Sequence, residues 1–429
     1  MNLADMLSYA DIHQLNRIAR HYACDCNTNS KGELIQSILN QVNRKEVFER
    51  YVEQLSVEDI RFLNSLIHER RDAFSLEELL ARARSSQFNL DQSKQANLLE
   101  QGANLLALQP GLLEPGPGAA KTKKAKAGKG ARNNAAAEQP AKPGNDEETP
   151  SCAGNPREIV AKFARQGWLF HGYSQQTKYL YHVPEDLKRR LGDCLAAAFR
   201  KRVQIIEEPP VYRDEQQLLI EDISRFLGFL LHHPVELTND GTMYKRSQSA
   251  IMDAFAVKEE LVGKGGWRFG YGRKINEYPN RFSLIYDYCY YNGLVEETPG
   301  QLLLTDKGKE QVLSGFSADP VSVYRFWLRL YKNPVPNLQS IVYWIEKLAG
   351  RGWVTLDTLG GVLTDLIKPF YYDTPDTILR RRIVMMMMHQ GLVRLGEHPQ
   401  AGSVVAMTRL GSSIVNGTYV QEEDRIALS

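Results

Sequence analysis

A pattern of apolar and polar positions occurs twice in the second half of the chain. In each copy an apolar helix ends at a glycine, a short apolar strand follows, and a second strand leads into a threonine and a new helix. The copies run from Asn292 to Gly308 and from Gln390 to Gly411. Glycine after an apolar helix indicates a helix end, and short apolar runs separated by turn residues indicate a hairpin. The pattern therefore predicts helix, hairpin and helix in each copy.

A helix followed by a two-stranded wing is typical of winged-helix modules, whose usual ligand is duplex DNA. We therefore expect one such module at residues 263–318 and another at residues 319–429. The helix before the first wing is rich in tyrosine, including Tyr286 and Tyr288. Tyrosines at this density suit contact with bases or with a protein partner, and the sequence leaves both open.

The first part of the chain has no strand signal, and we predict a helical N-terminal module at residues 1–113. Residues 114–155 are rich in proline, alanine and glycine without an aromatic side chain, which favours a disordered linker. Residues 156–262 read as a helix, a hairpin and further helices. The predicted fold class is mainly α with small β-hairpins (α+β), combining a helical N-terminal module with tandem winged-helix modules.

Composition limits the function classes. The chain has 429 residues, and its formal net charge is only +2, so a surface for nucleic acid has to be local. Five irregularly spaced cysteines fit a reducing cytoplasm, and we expect no signal peptide and no membrane span. The sequence contains no nucleotide-binding Gly-Lys-Ser/Thr motif, no hydrolase motif and no spacing typical of metal ligands. We predict a protein that is not an enzyme and that needs no cofactor or metal.

The loop at residues 263–274 is the first candidate site. Cations and aromatic residues alternate there with glycine, which is the chemistry of single-strand binding. The alternative is a surface loop whose aromatic side chains dock on the core. The residues that we expect to contact nucleic acid are Lys264, Trp267, Arg268, Arg273 and Lys274.

The helix before the second wing carries three consecutive arginines, Arg380, Arg381 and Arg382. One or two of their guanidinium groups could reach phosphates or a guanine edge. The same helix is mostly apolar, so the alternative is a core helix whose arginines pair with acids.

Two further groups of cations carry weaker predictions. In the linker, lysines precede a short acidic run and would bind any polyanion without sequence preference, unless they are simply solvated. These lysines are Lys121, Lys123, Lys124, Lys126 and Lys129. Near the amino terminus, Ser30 is predicted to cap a helix that begins with Lys31, and such a helix start can hold a phosphate. This helical pair resembles the SAP or Rho N-terminal type of nucleic-acid module; the alternative is a plain capped hairpin of helices.

Residues 155–250 resemble a bacterial helicase-associated domain, the XPB-like N-terminal region. The phrases that carry the resemblance lie at residues 163–170, 183–187 and 236–246, the last of which includes Lys245 and Arg246. This chain departs from the family pattern at Trp168, where the family has leucine, and at Asp186, which lies one place beyond Glu185. The resemblance implies tandem winged helices that act on DNA or on an XPB-type helicase, and it transfers no ATPase activity.

Together these observations predict a cytoplasmic bacterial DNA-binding accessory protein, associated with a helicase in DNA repair or related metabolism. Lys31, Lys245 and Arg246 join the arginines above as expected phosphate contacts. The alternative is a protein-interaction scaffold or transcription regulator that uses its winged helices to dock a partner. The sequence does not determine the oligomeric state.

Overall fold

In the computed structural model of the protein, the described residues are 1–88, 155–263, 268–315, 317–421 and 424–426. They all belong to one compact body. Their secondary structure is mainly helical with small antiparallel sheets, which confirms the predicted fold class. The predicted linker lies outside the described residues except for Asn155, and so do its lysines.

Four helices form at the amino terminus because apolar positions recur at helical spacing, and polar side chains cap the starts of the first three. The Ser30 hydroxyl accepts a hydrogen bond from the Glu33 amide at 3.4 Å, which confirms the predicted N-cap. The helices are α1 Leu3–Tyr9, α2 Ile12–His21, α3 Lys31–Asn43 and α4 Lys45–Glu53.

Winged module A occupies residues 57–182 and is built from both sides of the predicted linker. Its antiparallel sheet has the order β1-β3-β2, so the last strand is central. Its elements are α5 Val57–Ile67, β1 Ala73–Ser75, α6 Leu76–Ser86, α7 Pro156–Arg165, β2 Phe170–His171 and β3 Leu180–His182. The helix α8 Glu185–Arg200 and the short strands β4 Ile205–Ile206 and β5 Val211–Arg213 follow it.

Winged module B occupies residues 218–304 and repeats the same order of elements. Its sheet order, β6-β8-β7, again places the last strand in the centre. Its elements are α9 Leu218–His232, β6 Val235–Glu236, α10 Lys245–Ala254, α11 Asn280–Tyr291, β7 Val295–Thr298 and β8 Gln301–Leu304. The helices α12 Asp306–Leu313 and α13 Pro320–Tyr331 follow it.

Winged module C occupies residues 338–407. Its strands lie in the order β9-β11-β10, and β4 and β5 extend this sheet at its two edges. Its elements are α14 Leu338–Ala349, β9 Trp353–Thr355, α15 Leu356–Leu363, a 3-10 turn Thr364–Leu366, the helix α16, β10 Val393–His398 and β11 Gly402–Met407. The helix α16 consists of Pro375–Thr377, a π-helical stretch Ile378–Val384, and Met385–His389. The helix α17 Arg409–Gly417 ends the fold.

The expectation that no strand interrupts residues 1–113 is wrong, because Ala73–Ser75 forms β1 and pairs with β3. A strand of three residues is too short to give a period-two pattern, and its partner lies beyond the predicted linker.

The second correction concerns module B, which begins at Leu218 and not at residue 263. The helices α9 and α10 therefore belong to a winged module, although the sequence suggested that they were part of the helicase-associated region.

Each module ends the helix before its wing in the same way. Gly167, Gly293 and Gly391 follow that helix with φ values of 69°, 64° and 68°. The amide of the next residue then donates to the carbonyl five residues earlier, at 2.8 or 2.9 Å. Glycine adopts this left-handed conformation without the steric cost that a side chain would bring, so it turns the chain into the wing.

The wings of modules B and C close by a second shared device. Thr305 and Thr408 each donate a hydroxyl hydrogen bond, at 2.7 and 2.8 Å, to the carbonyl of the glycine that precedes the wing. Each hydroxyl also accepts the amide of a glycine three residues later. A Cβ atom at Gly308 would lie 2.1 Å from a backbone carbonyl oxygen, and one at Gly411 would lie 2.0 Å from another. The repeated Thr-x-x-Gly pattern therefore reflects a close approach between helix and strand.

The apolar core is continuous from the N-terminal helices to module C. The indole of Trp168 in module A donates to the Tyr22 hydroxyl at 3.2 Å, and that hydroxyl donates to the Gln166 carbonyl at 3.0 Å. Modules A and C meet through Asn64, whose amide donates to the Ser340 hydroxyl at 2.8 Å. Residues 1–88 are thus packed into the same body as residues 155–421.

Candidate nucleic-acid interface

Most of the cations predicted in the second half of the chain already have partners. Arg246 pairs with Glu236, and Arg273 pairs with Glu297. Two lysines donate to uncharged groups: Lys245 Nζ lies 3.2 Å from the Gln248 side-chain oxygen, and Lys274 Nζ lies 3.2 Å from the Asp240 carbonyl. These contacts do not supply the common positive surface on which the sequence argument depended.

The arginine run on α16 is divided between two environments. Arg380 forms ion pairs with Asp376 and Asp357 at 2.7 and 2.6 Å. Arg382 pairs with the buried Asp373 at 2.8 Å and also donates to the Phe269 carbonyl. Arg381 is exposed. The alternative of a core helix whose arginines pair with acids therefore describes Arg380 and Arg382.

The described part of the loop at residues 263–274 is docked on the core. Arg268 donates to the Tyr278 carbonyl at 3.0 Å and to the Asn280 side chain at 2.8 Å. Tyr271 is buried, and the Phe269 ring packs 6.1 Å from the ring of Phe370. Docked aromatic side chains were the alternative that the sequence left open. Lys264 and Trp267 lie outside the described residues.

Lys31 is exposed at the first position of α3, and it forms no ion pair among the described residues. No other cation predicted from the sequence lies beside it in the described contacts, so its role as a phosphate contact stays a prediction.

The helices before the wings of modules B and C are used for internal packing. Tyr286 and Tyr288 of the tyrosine-rich helix α11 are buried, so their rings contact the protein's own core. Glu215 connects α11 and α16, since its carboxylate lies 3.3 Å from Arg281 Nε and 3.0 Å from His389 Nδ1. The sequence left open whether the tyrosines of this helix contact bases or a protein partner. Neither alternative describes these two rings.

The corresponding helix of module A differs, because α7 keeps one face in solvent. Its apolar side chains Val160 and Phe163 are buried. Lys162 Nζ forms an ion pair with Asp59 at 2.5 Å, which fastens α7 to α5. The outward positions recur every four residues at Arg157, Ala161 and Arg165, with Glu158 beside the first.

The pre-wing helices of the three modules can be compared at three equivalent positions. These lie ten, six and two residues before the turn glycine, which is Gly167, Gly293 or Gly391. Module A has three exposed side chains there. Module B has two buried side chains and a half-buried tyrosine, and module C has two exposed side chains and one buried histidine. The positions are Arg157, Ala161 and Arg165 in A, Ser283, Asp287 and Tyr291 in B, and Arg381, Met385 and His389 in C. Among the described residues, only module A exposes all three.

The wing of module A follows α7 directly in the chain and is also exposed. A Cβ atom at Gly172 would lie 1.9 Å from the Thr177 carbonyl oxygen, so the hairpin turn requires glycine. The Lys178 ammonium lies 4.9 Å from the ring centre of Tyr179, and both side chains are exposed. Cations on a wing can reach the backbone beside the groove that a recognition helix enters.

The end of α2 adds positive charge beside α7. Burial lowers the pKa of His21, and the charges of Arg165 and Lys162 lower it further. Arg20 lies in the last turn of α2 with His21, Arg17 lies one turn earlier, and both are exposed. We use the name basic face for the exposed cations of α2, α7 and the wing of module A, which are Arg17, Arg20, Arg157, Arg165 and Lys178. Within the described ranges, none of these five side chains pairs with a carboxylate.

Sequence reasoning missed α7 as the helix before a wing, although a signal was present. The phrase Gln166-Gly167-Trp168-Leu169 matches the helix end that precedes the other two wings, and Arg157 and Arg165 lie two helical turns apart. The residues that complete the module, β1 and α6, lie before the predicted linker, so the pattern is interrupted in the sequence.

Comparisons with protein-family models, with curated proteins and with solved structures found no match. The resemblances to a helicase-associated domain and to SAP or Rho N-terminal modules therefore stay predictions. In the part of the chain that the structure describes, no helix is long and apolar enough to cross a membrane. In the same residues, no group of three or more His, Cys, Asp or Glu side chains could hold a metal ion.

Proposed function

We propose that the protein is a non-enzymatic DNA-binding protein whose basic face contacts duplex DNA. The observation that carries the proposal is the exposed face of α7, where Arg157, Ala161 and Arg165 lie on one side of a helix that directly precedes a wing. The exposed side chain between the two arginines is small, which allows close approach to the floor of a groove.

The dimensions of α7 fit this use. Eight residues separate Arg157 from Arg165, which corresponds to about 12 Å along a helix axis. The major groove of B-DNA is about 12 Å wide. Lys178 on the wing and Arg17 and Arg20 on α2 would then neutralise phosphates on either side, and such contacts give affinity without sequence preference.

The predicted partner and cellular process are part of the same proposal. A role as an accessory to an XPB-type helicase in DNA repair rests on the sequence resemblance alone.

The alternative, a scaffold that docks a protein partner, has one observation in its favour. Tyr371 is 79% exposed in a left-handed backbone conformation (φ 49°), next to the exposed Tyr372. Large exposed aromatic side chains are enriched at protein interfaces.

The test is fluorescence anisotropy of a labelled duplex titrated with the full-length protein over a range of salt concentrations. The double variant Arg157→Gln/Arg165→Gln removes two cations of the basic face. We expect affinity to fall by about tenfold or more, since each lost contact costs roughly 1–3 kcal/mol. The slope of log affinity against log salt should become shallower by about 2.

The matched control is Arg246→Gln/Arg381→Gln, which removes two exposed arginines elsewhere and should leave the affinity within about twofold. Absence of duplex binding at low salt would overturn the proposal. Equal losses for the two double variants would place the DNA contact outside the basic face. Recovery of a protein partner from nuclease-treated lysate, lost on Tyr371→Ala, combined with no DNA binding, would favour the scaffold.

A further inference from the structure

A cavity of about 350 Å³ lies between winged modules A and C. One wall comes from the helices α5 and α6, and the opposite wall comes from the start of α14, from residues 366–368 and from Tyr419. This volume is in the range of small-molecule sites, which lie at roughly 300–1,000 Å³. The helix α7 is not part of the walls, so the cavity is separate from the basic face.

The cavity has flat apolar surfaces. The Arg61 guanidinium stacks on the Phe88 ring, 3.6 Å from its centre. The His68 imidazole is held edge-on by Tyr343 and Trp344, with ring centres 4.5 and 5.3 Å away. Leu366 completes the apolar lining. Such surfaces favour a planar organic body over a small hydrated ion.

Arg61 supplies a positive charge that none of the described carboxylates contacts. Its Nε donates to the Asp365 carbonyl at 2.6 Å, and its Nη1 donates to the carbonyls of Ser86 and Phe88 at 3.1 and 2.8 Å. Its Nη2 makes no hydrogen bond to the described residues. Burial lowers the pKa of Arg61, and the charges of Glu58 and Asp365 offset this only in part.

The acids in the wall are already engaged. Glu69 accepts hydrogen bonds from Arg82 at 3.1 Å and from the Tyr419 hydroxyl, and these contacts lower its pKa against the effect of burial. Glu78 pairs with Arg71 and Arg82 at 2.7 and 3.0 Å. Lys368 is exposed at the mouth of the cavity and has no carboxylate partner among the described residues. The cavity therefore keeps an excess of positive charge.

His68 presents a buried polar atom without a partner. Its Nε2 is shielded from solvent and makes no hydrogen bond within the part of the chain that the structure describes. Burial lowers the pKa of His68 to about 3, so the imidazole is neutral near pH 7 and can donate or accept one hydrogen bond. An unsatisfied buried polar atom costs about 1–3 kcal/mol, and a ligand atom that pairs with it recovers part of that cost.

We propose that this cavity binds a small planar organic anion, such as an aromatic carboxylate. The Nη2 of Arg61 and the ammonium of Lys368 attract the carboxylate. The ring lies against the side chains of Phe88 and Leu366, and His68 selects a ligand with a polar group on its ring. This site does not depend on DNA binding, because none of its walls belongs to the basic face.

The test uses 2-naphthoate as the probe and isothermal titration calorimetry on the full-length protein. We expect saturable binding of one equivalent, and at least tenfold weaker binding of the neutral analogue 2-naphthamide, a difference of about 1.4 kcal/mol. Two variants locate the site: Ala81→Trp, which places a large side chain in the cavity wall from an exposed position, and Lys368→Gln, which removes the charge at the mouth.

Ala81→Trp should abolish binding, and Lys368→Gln should weaken it about fivefold or more, a loss of roughly 1 kcal/mol. Lys201→Gln, at the exposed position that follows α8 and outside the cavity lining, is the control and should bind as the wild type does. Thermal unfolding of each variant reports that it is folded. The proposal fails if 2-naphthoate shows no saturable binding by about 1 mM. It also fails if the amide binds equally well, or if folded Ala81→Trp still binds.

Discussion

The guanidinium of Arg281 lies 2.7 Å from the carboxylate of Asp222, and neither side chain has any exposed surface. Arg281 also contacts Glu215, and Glu215 contacts His389 on α16. A network of buried charges thus joins module B to module C through α11 and α16. Buried charges are stable only when they are paired, so each partner depends on the others.

Replacing Arg281 with methionine should be strongly destabilising, because it leaves Asp222 buried with one cation fewer. Removing one partner of a buried pair costs about 3–5 kcal/mol. The measurement is the free energy of unfolding in urea. The control is Arg246→Met, whose pair with Glu236 is exposed (74% and 53%). An exposed pair contributes about 0–1 kcal/mol, so similar losses in both variants would contradict the expected role of the network.

The sequence predicted the wings of modules B and C because Gly293 and Gly391, with Thr305 and Thr408, have local roles that recur. It did not predict the burial of α11, and it left open whether the arginines of α16 pair with acids, as Arg382 does with Asp373. Those outcomes depend on Glu215, Phe269 and other residues that are distant along the chain, and periodicity carries no information about them. Module A was missed for the same reason, since β1 and β3 pair across the predicted linker.

The close approach at the end of each wing predicts that alanine substitutions at two helical glycines change the stability in opposite directions. Gly411→Ala should destabilise the protein by about 1–3 kcal/mol, because the new Cβ would lie 2.0 Å from the Leu392 carbonyl oxygen and force the wing to shift. Gly361 lies in α15 with open space around its Cα. Gly361→Ala should instead stabilise by about 0.5–1 kcal/mol, since alanine is the better helix former. Chemical unfolding of both variants measures the difference, and equal effects would be inconsistent with this packing.

Asp287 gives a prediction for the dependence of stability on pH. Burial raises its pKa to about 7, against the effects of the Arg273 amide and the charges of Arg273 and Lys274, while the nearby Glu297 raises it further. In the unfolded chain the same carboxyl titrates near pH 3.9. Between these values the folded state holds a proton that the unfolded state has lost, so this group's contribution to stability falls as the pH rises from about 4 to 7.

The variant Asp287→Asn removes this titration and keeps an oxygen for the Arg273 amide, which donates to the aspartate at 3.0 Å. The wild type should therefore lose stability relative to Asp287→Asn between about pH 4 and pH 7, and the two pH profiles should run parallel above that range. The difference between the two proteins isolates Asp287 from His68, whose lowered pKa gives the opposite trend in the same range. Parallel profiles from pH 4 upward would exclude a raised pKa at Asp287.

The junction of modules A and C predicts the effect of truncating Asn64. Its side chain donates to Ser340 at 2.8 Å and accepts the Trp344 indole hydrogen bond at 2.7 Å, and all three residues are buried. Asn64→Ala leaves the indole nitrogen without an acceptor, which should lower the free energy of unfolding by about 1–3 kcal/mol. Asn416→Ala is the control, since Asn416 is exposed and bonds only within α17, at 2.8 Å to the Ser412 carbonyl. Asn416→Ala should lower the free energy of unfolding by no more than about 0.5 kcal/mol. If both substitutions cost the same, the hydrogen bonds of Asn64 do not stabilise the junction.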